Sequence, residues 1–206
     1  MVTLEQVSRR VFADPSWFVK SVFGTGLLLI PGAHFCALGY VYQIARQGRR
    51  GQSMDLPEWE EWRTLFVDGV RLFAILMVLT MVPLLAAWLI SLPWHPVLGP
   101  LSYLPMVPVF LLVGPLTAAG LYRYQRREDF RDAFRLAVLF RMVVAARDLM
   151  VIPTFAFVGF AFVFFPILPY ALFTGGALIS YYYALMFHEV EQRTRAPASG
   201  RSTVRR

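Results

Sequence analysis

Three long stretches of this chain carry no charged side chain, and that feature constrains the fold more than any other. They are residues 21–45, 72–122 and 149–187, of 25, 51 and 39 residues. A helix needs about 20 apolar residues to cross a hydrocarbon slab about 30 Å thick. Backbone amides in lipid must be satisfied within their own segment, so such runs read as helices in a membrane. The 51-residue run is long enough for two spans, with a turn at Pro93-Trp94-His95-Pro96 and on to Pro100. The 39-residue run gives two shorter spans, broken at Pro166-Ile167-Leu168-Pro169.

All 33 charged residues fall in four patches between these runs, at 1–20, 46–71, 123–148 and 188–206, with net charges of +1, 0, +3 and +3. Charge is 16% of the composition, against about 25% in soluble domains, while 57% is hydrophobic and mean hydropathy is +0.54. Disorder is excluded, because 18 Phe, 9 Tyr and 5 Trp are too much apolar surface to leave in water. The single cysteine, Cys36, permits neither an internal disulfide nor a cysteine-based zinc site.

The expectation is an all-α integral membrane protein, one multi-pass domain over 1–192. Four spans form two hairpins: 55–92 (an interfacial turn, then a span) with 99–122, and 149–165 with 168–187. A basic, disordered tail follows at 193–206. Each hairpin returns the chain to its starting side, so the last three patches share a face. They hold 17 of the 20 basic residues, and the hairpin tips hold none. The positive-inside bias puts that face, and the C-terminus, in the cytoplasm of a cell whose inner membrane holds the protein. Residues 21–45 are too long for a signal-peptide core, begin late, and lack a small-residue cleavage site, so they are expected to stay.

The segment 17–45 has two possible placements. It could cross as a fifth span, with the N-terminus outside. Pro31-Gly32 at its centre would instead break the hydrogen-bond ladder and turn it back as a re-entrant hairpin. Re-entry keeps Arg9, Arg10 and Lys20 on the cytoplasmic side and is the preferred reading.

Amphipathic pieces border these spans on the cytoplasmic face. Leu4, Val7 and Val11 form an apolar stripe in an interfacial helix over 1–13. Asp14-Pro15 reads as N-cap and first residue of the next helix. Asp55-Leu56-Pro57-Glu58 resembles a capping box, with Trp59, Trp62 and Phe66 on one face dipping into headgroups. A longer amphipathic helix is expected over 127–147, with Glu128, Arg131, Asp132 and Arg135 pairing on its polar face. Arg141 projects from the apolar face, beside Phe134 and Val144, and needs a lipid phosphate, a carbonyl or a carboxylate such as Asp148. Arg141, Arg135, Trp59 and Trp62 are therefore candidate contacts for lipid headgroups or a partner. Pro31, Gly32, His34 and Tyr40 are candidates for a helix break or gate. A weak internal pattern of proline, small residue and exit tyrosine recurs at Tyr40, Tyr122 and Tyr181, as interfacial tyrosines alone would produce.

One order of residues is more specific: Asp14-Pro15-Ser16-Trp17, Leu28-Leu29-Ile30-Pro31, Leu38-Gly39-Tyr40, Ala45-Arg46, Gly51, Leu56-Pro57-Glu58-Trp59 and Phe66-Val67-Asp68-Gly69. With Phe130, Ala133-Phe134-Arg135 and a closing span ending at His188, it resembles the uncharacterised prokaryotic multi-pass membrane proteins of domain-of-unknown-function family 4013. The likeness covers about residues 12–192. It implies a membrane fold and compartment, and no catalytic residue is carried over.

Chemical signatures are sparse. The sequence has no G-x-S-x-G, H-E-x-x-H or Walker-type loop. His34 beside Cys36 supplies too few ligands for a metal, and no cofactor is expected. No acidic residue falls inside a span, Asp68 and Asp148 sitting at helix starts, which argues against ion-coupled transport. The basic patches are expected to meet anionic lipid rather than nucleic acid. The leading expectation is a non-enzymatic scaffold or accessory subunit, alone or in a homo- or hetero-oligomer. A transporter or lipid-handling protein comes second, and an intramembrane enzyme third. A polar cavity reaching His34, Tyr40 or Gln43 would favour transport; a dry interior would favour the scaffold.

Overall fold

In the computed structural model, which describes residues 5, 7, 9, 14–52 and 56–195, the chain first turns at Pro31-Gly32. Helix α1 (Trp17–Leu29) stops at Ile30, whose ψ of 119° has left the helical region. Pro31 has no amide to donate, and Gly32 takes a φ of +86° that L side chains rarely adopt. Helix α2 (His34–Arg49) then comes back beside α1, so that Lys20 and Ser21 line one small cleft with Tyr40 and Ile44. Asp14-Pro15 does not open α1 as expected. Asp14 instead closes a turn, its Oδ1 accepting from the Ser16 amide (2.8 Å) and hydroxyl (2.7 Å), and the helix begins at Trp17. Those bonds from Ser16 hold the Asp14 carboxyl below its usual value.

Helix α3 (Trp62–Ser91) runs antiparallel to α2 and touches it backbone to backbone. Gly39 faces the Leu65 carbonyl, and Gly69 faces the Phe35 carbonyl; a side chain at either position would collide. Small residues at a crossing let helices gain packing where lipid offers no hydrophobic drive. The start of α2 reaches only to Phe73, whose ring lies 5.3 Å from Phe35 and 6.0 Å from His34. Beyond Phe73, α3 continues for another 18 residues, about 27 Å. The expected helix start at Asp55-Glu58 is displaced to Trp62, because the Glu58 carboxylate is engaged by Lys20 (2.7 Å) and does not cap α3. Asp55 itself lies outside the described residues.

A cap of short helical turns follows, Leu92–Trp94, α4 (His95–Leu98) and Gly99–Tyr103. Helix α5 (Met106–Arg127) returns to the charged end. The single amphipathic helix expected over 127–147 is instead divided. α6 (Phe130–Ala133) is capped by Asp129, whose Oδ1 accepts from the Arg131 amide. The helix is broken at Phe134-Arg135, and α7 (Leu136–Ala145) follows. Helix α8 (Arg147–Val163), the turn Phe165–Ile167 and α9 (Leu168–Arg195) complete the chain, with a bend of 85° at that turn. Pro153 inside α8 cannot donate to the Leu149 carbonyl, and the Tyr182 hydroxyl donates there instead (3.4 Å).

By length and apolar composition, 62–103 and Met106–Arg127 qualify as membrane spans, and the bent α8–α9 pair would make a third. α2 is the hub, enclosed by α1, α3, α5 and α9, with Ala37, Tyr40, Ile44 and Ala45 buried. α9 runs parallel to α2: Phe173 lies beside Tyr40, Gly48 against the Tyr181 carbonyl, and Gly51 against His188. The charged patches gather at one end. Lys20 pairs with Glu58, the Tyr181 hydroxyl donates to the Gln52 carbonyl, and Arg126 binds Glu191 at 2.5 Å. Of the expected 1–13 helix, residues 5, 7 and 9 are helical, and Val7 packs into the core instead of facing lipid; Leu4 and Val11 lie outside the described residues. Residues 193–195 of the expected tail continue α9, and 196–206 lie outside the described residues.

Candidate functional site

The four residues read as a break or gate divide into two places. Pro31, Gly32 and His34 form the hairpin tip, where His34 Nδ1 accepts the Gly32 amide at 3.1 Å and its ring leans on Phe35. This is a histidine that caps a turn. Tyr40 lies part-way along α2, about 9 Å from His34, 1% exposed and stacked on Trp59 with ring centres 4.2 Å apart. Tyr40 therefore does not share a gate with the tip. Trp59 is not the headgroup anchor its spacing suggests: Tyr40, Phe173 and Phe23 surround it, and its indole N–H is buried without a partner. Trp62 is the half-exposed member of the pair.

At the base of the hairpin, buried Lys20 donates to Glu58 Oε1 (2.7 Å) and the Leu56 carbonyl (3.0 Å), with Asp14 at 3.8 Å. The cleft beside it, walled by Tyr40, Phe173 and Thr174, is too small to admit a solute. Tyr40 is thus surrounded by packed rings and a closed ion pair.

Two buried carboxylates escaped the sequence reading. Asp68, expected at a helix start, is 3% exposed in the second turn of α3; Arg71 donates to it at 2.9 Å, and its second oxygen has no hydrogen-bond partner. Asp132, expected on an outer polar face, is also 3% exposed and receives Arg123 at 2.5 Å, with Arg127 and Arg135 at 3.7 and 3.8 Å. Burial alone would raise the Asp132 carboxyl, but the hydrogen bond and charge of Arg123, with Arg127 and Arg135, hold it below the usual value. Asp132 sits four arginines deep in sequence, with 123, 126, 127 and 131 before it, and that crowding was the legible sign of an internal partner.

Arg141 points outward from α7 in company with exposed Leu136, Phe140 and Val144. Its hydrogen bond among the described residues is a long one to the Ala137 carbonyl, 3.4 Å, and Asp148 goes to Arg147 instead. Arg135 is exposed and loosely tied to Asp132. The inner stripe of α7 is Leu139 and Val143, with Ala146 just past its end; Val144, expected on the apolar face, is exposed.

A cavity of about 450 Å³ lies beside α2, with Phe173 in its wall. Val41, Leu72, Gly114, Thr117, Phe157 and Gly176 are among its walls, which come from α1, α2, α3, α5, α8 and α9. Its volume lies in the range of about 300–1,000 Å³ typical of ligand sites. The polar groups in its wall are few. Thr154 and Tyr183 bond to each other at 2.6 Å, and the Thr117 hydroxyl is buried without a partner. Among the described residues, no group of three or more His, Cys, Asp or Glu is placed to hold a metal ion. The cavity wall offers hydrophobic accommodation, with no charged side chain among its lining residues.

The profile of the family described as Protein of unknown function (DUF4013) matches residues 24–174, from the middle of α1 to the start of α9. The chain belongs to that family. The match takes in the glycine crossing, the Tyr40–Trp59 stack and Asp132, so what is distinctive in this DUF4013 fold lies inside it. No curated protein and no solved structure matches the chain.

Proposed function

We propose that this protein is a non-enzymatic, multi-pass inner-membrane scaffold or accessory subunit with both termini in the cytoplasm. In this reading α3 and α5 are one hairpin of spans, α8 and α9 a second and steeply bent one, and α1–α2 a hairpin that enters and leaves by the cytoplasmic face. The observation that carries it is the packed junction of α1, α2 and α3. Backbone contact at Gly39 and Gly69, and the rings of Tyr40, Trp59 and Phe173, fill the space around Tyr40 and leave no room for a polar solute there. The gathering of the charged patches at one end supports the orientation, since basic residues are retained on the cytoplasmic side. Re-entry is supported by the tip of α1–α2 stopping at Phe73, part-way along α3.

Two measurements test the reading. A single cysteine near Thr3, with Cys36 replaced, should resist an impermeant maleimide in intact cells; labelling without permeabilisation would overturn the cytoplasmic N-terminus. Native mass spectrometry after mild solubilisation should find a partner, or a second copy, in fixed stoichiometry. A protein that purifies alone and passes polar solutes in proteoliposomes would overturn the scaffold. The cavity favours a second reading, lipid handling.

A further inference from the structure

The cavity has walls suited to hydrocarbon, an opening toward lipid and cations near one end. Its rim on α5 and α9 is set by Phe110, 63% exposed, and by exposed Gly114 and Leu172, where α5 and α8 touch only sparsely. In a bilayer the molecules that reach such an opening sideways are lipid chains. Phe157 in the cavity wall lies ten residues along α8 from Arg147, about 15 Å.

Arg147 and Arg141 are both exposed, and among the described residues they are held by Asp148 (3.5 Å, itself exposed) and by the Ala137 carbonyl (3.4 Å). Arg135, the other cation nearby, is drawn toward Asp132. Arg147 opens α8, the helix that carries Thr154 and Phe157 into the cavity wall, and Arg141 lies on the helix before it; two guanidiniums with spare donors there complement a phosphate joined to an acyl chain.

We propose that the cavity between α1, α2, α3, α5, α8 and α9 seats one acyl chain of an anionic phospholipid whose phosphate is held by Arg141 and Arg147. This deepens the lipid-handling reading and is independent of the scaffold, because it needs no partner chain.

Gly114 and Gly176 provide a clean perturbation. A Cβ at either position would meet no atom within 4 Å, so Gly114→Leu and Gly176→Leu add apolar bulk to the cavity wall with room at the backbone for the new side chain. The probe is phosphatidylglycerol with a diazirine midway along one chain, in nanodiscs holding the full-length protein. After irradiation, cross-links are expected on peptides containing Phe157 and Gly176. They should fall at least fivefold in the Gly114→Leu/Gly176→Leu variant, with thermal stability unchanged or raised. In Arg141→Gln/Arg147→Gln, capture of the phosphatidylglycerol probe should fall to that of a matching phosphatidylcholine probe. Equal cross-linking of the wild type and the filled variant, or cross-links confined to outward faces of α3 and α8, would overturn the chain site. Wild-type protein that captures both probes equally would overturn the headgroup assignment. Failure of either result leaves stoichiometric partner retention, the test of the scaffold, as a separate measurement.

Discussion

Gly39→Ala should be destabilising although alanine is the better helix former. In an exposed helix interior the exchange would gain about 1 kcal/mol. At Gly39, however, the new Cβ would collide with the Leu65 backbone carbonyl. The obstacle is backbone on both sides, so no side chain can swing away and α2 and α3 must separate. This is the most extensive helix interface in the molecule, and interiors at native density transmit such a shift. Overpacking of this kind costs about 1–3 kcal/mol, a fall in Tm of roughly 2–12 °C for a chain of this size. The assay is thermal unfolding in detergent followed by size-exclusion chromatography, with Gly26→Ala as the control. Gly26 lies in α1 with nothing within 4 Å of a new Cβ, so that variant should hold or gain stability. A Gly39→Ala protein as stable as Gly26→Ala would refute the backbone contact.

Asp132→Asn should cost about 3–5 kcal/mol, because it leaves the arginines around a buried site without their carboxylate. The Asp132 carboxyl is held below its usual 3.8, so its contribution is complete above that value and is lost as pH falls through the lower, folded one. A thermal-stability profile should therefore drop in wild type below about pH 4, and that component should vanish in Asp132→Asn; an identical acid limb in both would contradict the assignment. Lys20→Met should free the segment 56–61 from the base of the hairpin, since Lys20 alone ties Glu58 and the Leu56 carbonyl to α1. Limited proteolysis should then cut within 56–61 several times faster, and an unchanged cleavage rate would show that Trp59 packing holds the segment unaided.

The sequence alone determined the features that a bilayer enforces locally. Charge-free runs had to be helical, since each amide must find its partner within the segment. The basic residues marked one end of those helices, and Pro31-Gly32 marked the turn between α1 and α2. The Pro166–Pro169 break and the histidine bonded within its own turn were legible for the same reason: their partners lie within a few residues. Tertiary structure decided everything that depends on which helix lies alongside. Trp59 has interfacial spacing, yet Tyr40 and Phe173 enclose it. Asp132 has the spacing of an outer face, but a kink at Phe134-Arg135 turns it in to Arg123, nine residues earlier. Glu58 has the position of a cap but is claimed by Lys20, 38 residues away. The cavity has no sequence signature, because its walls come from six helices and Gly114 and Gly176 line it only once those helices are packed. A bilayer exiles charge and forces helicity by rules each segment obeys on its own, whereas burial, pairing and voids are properties of the contacts between segments.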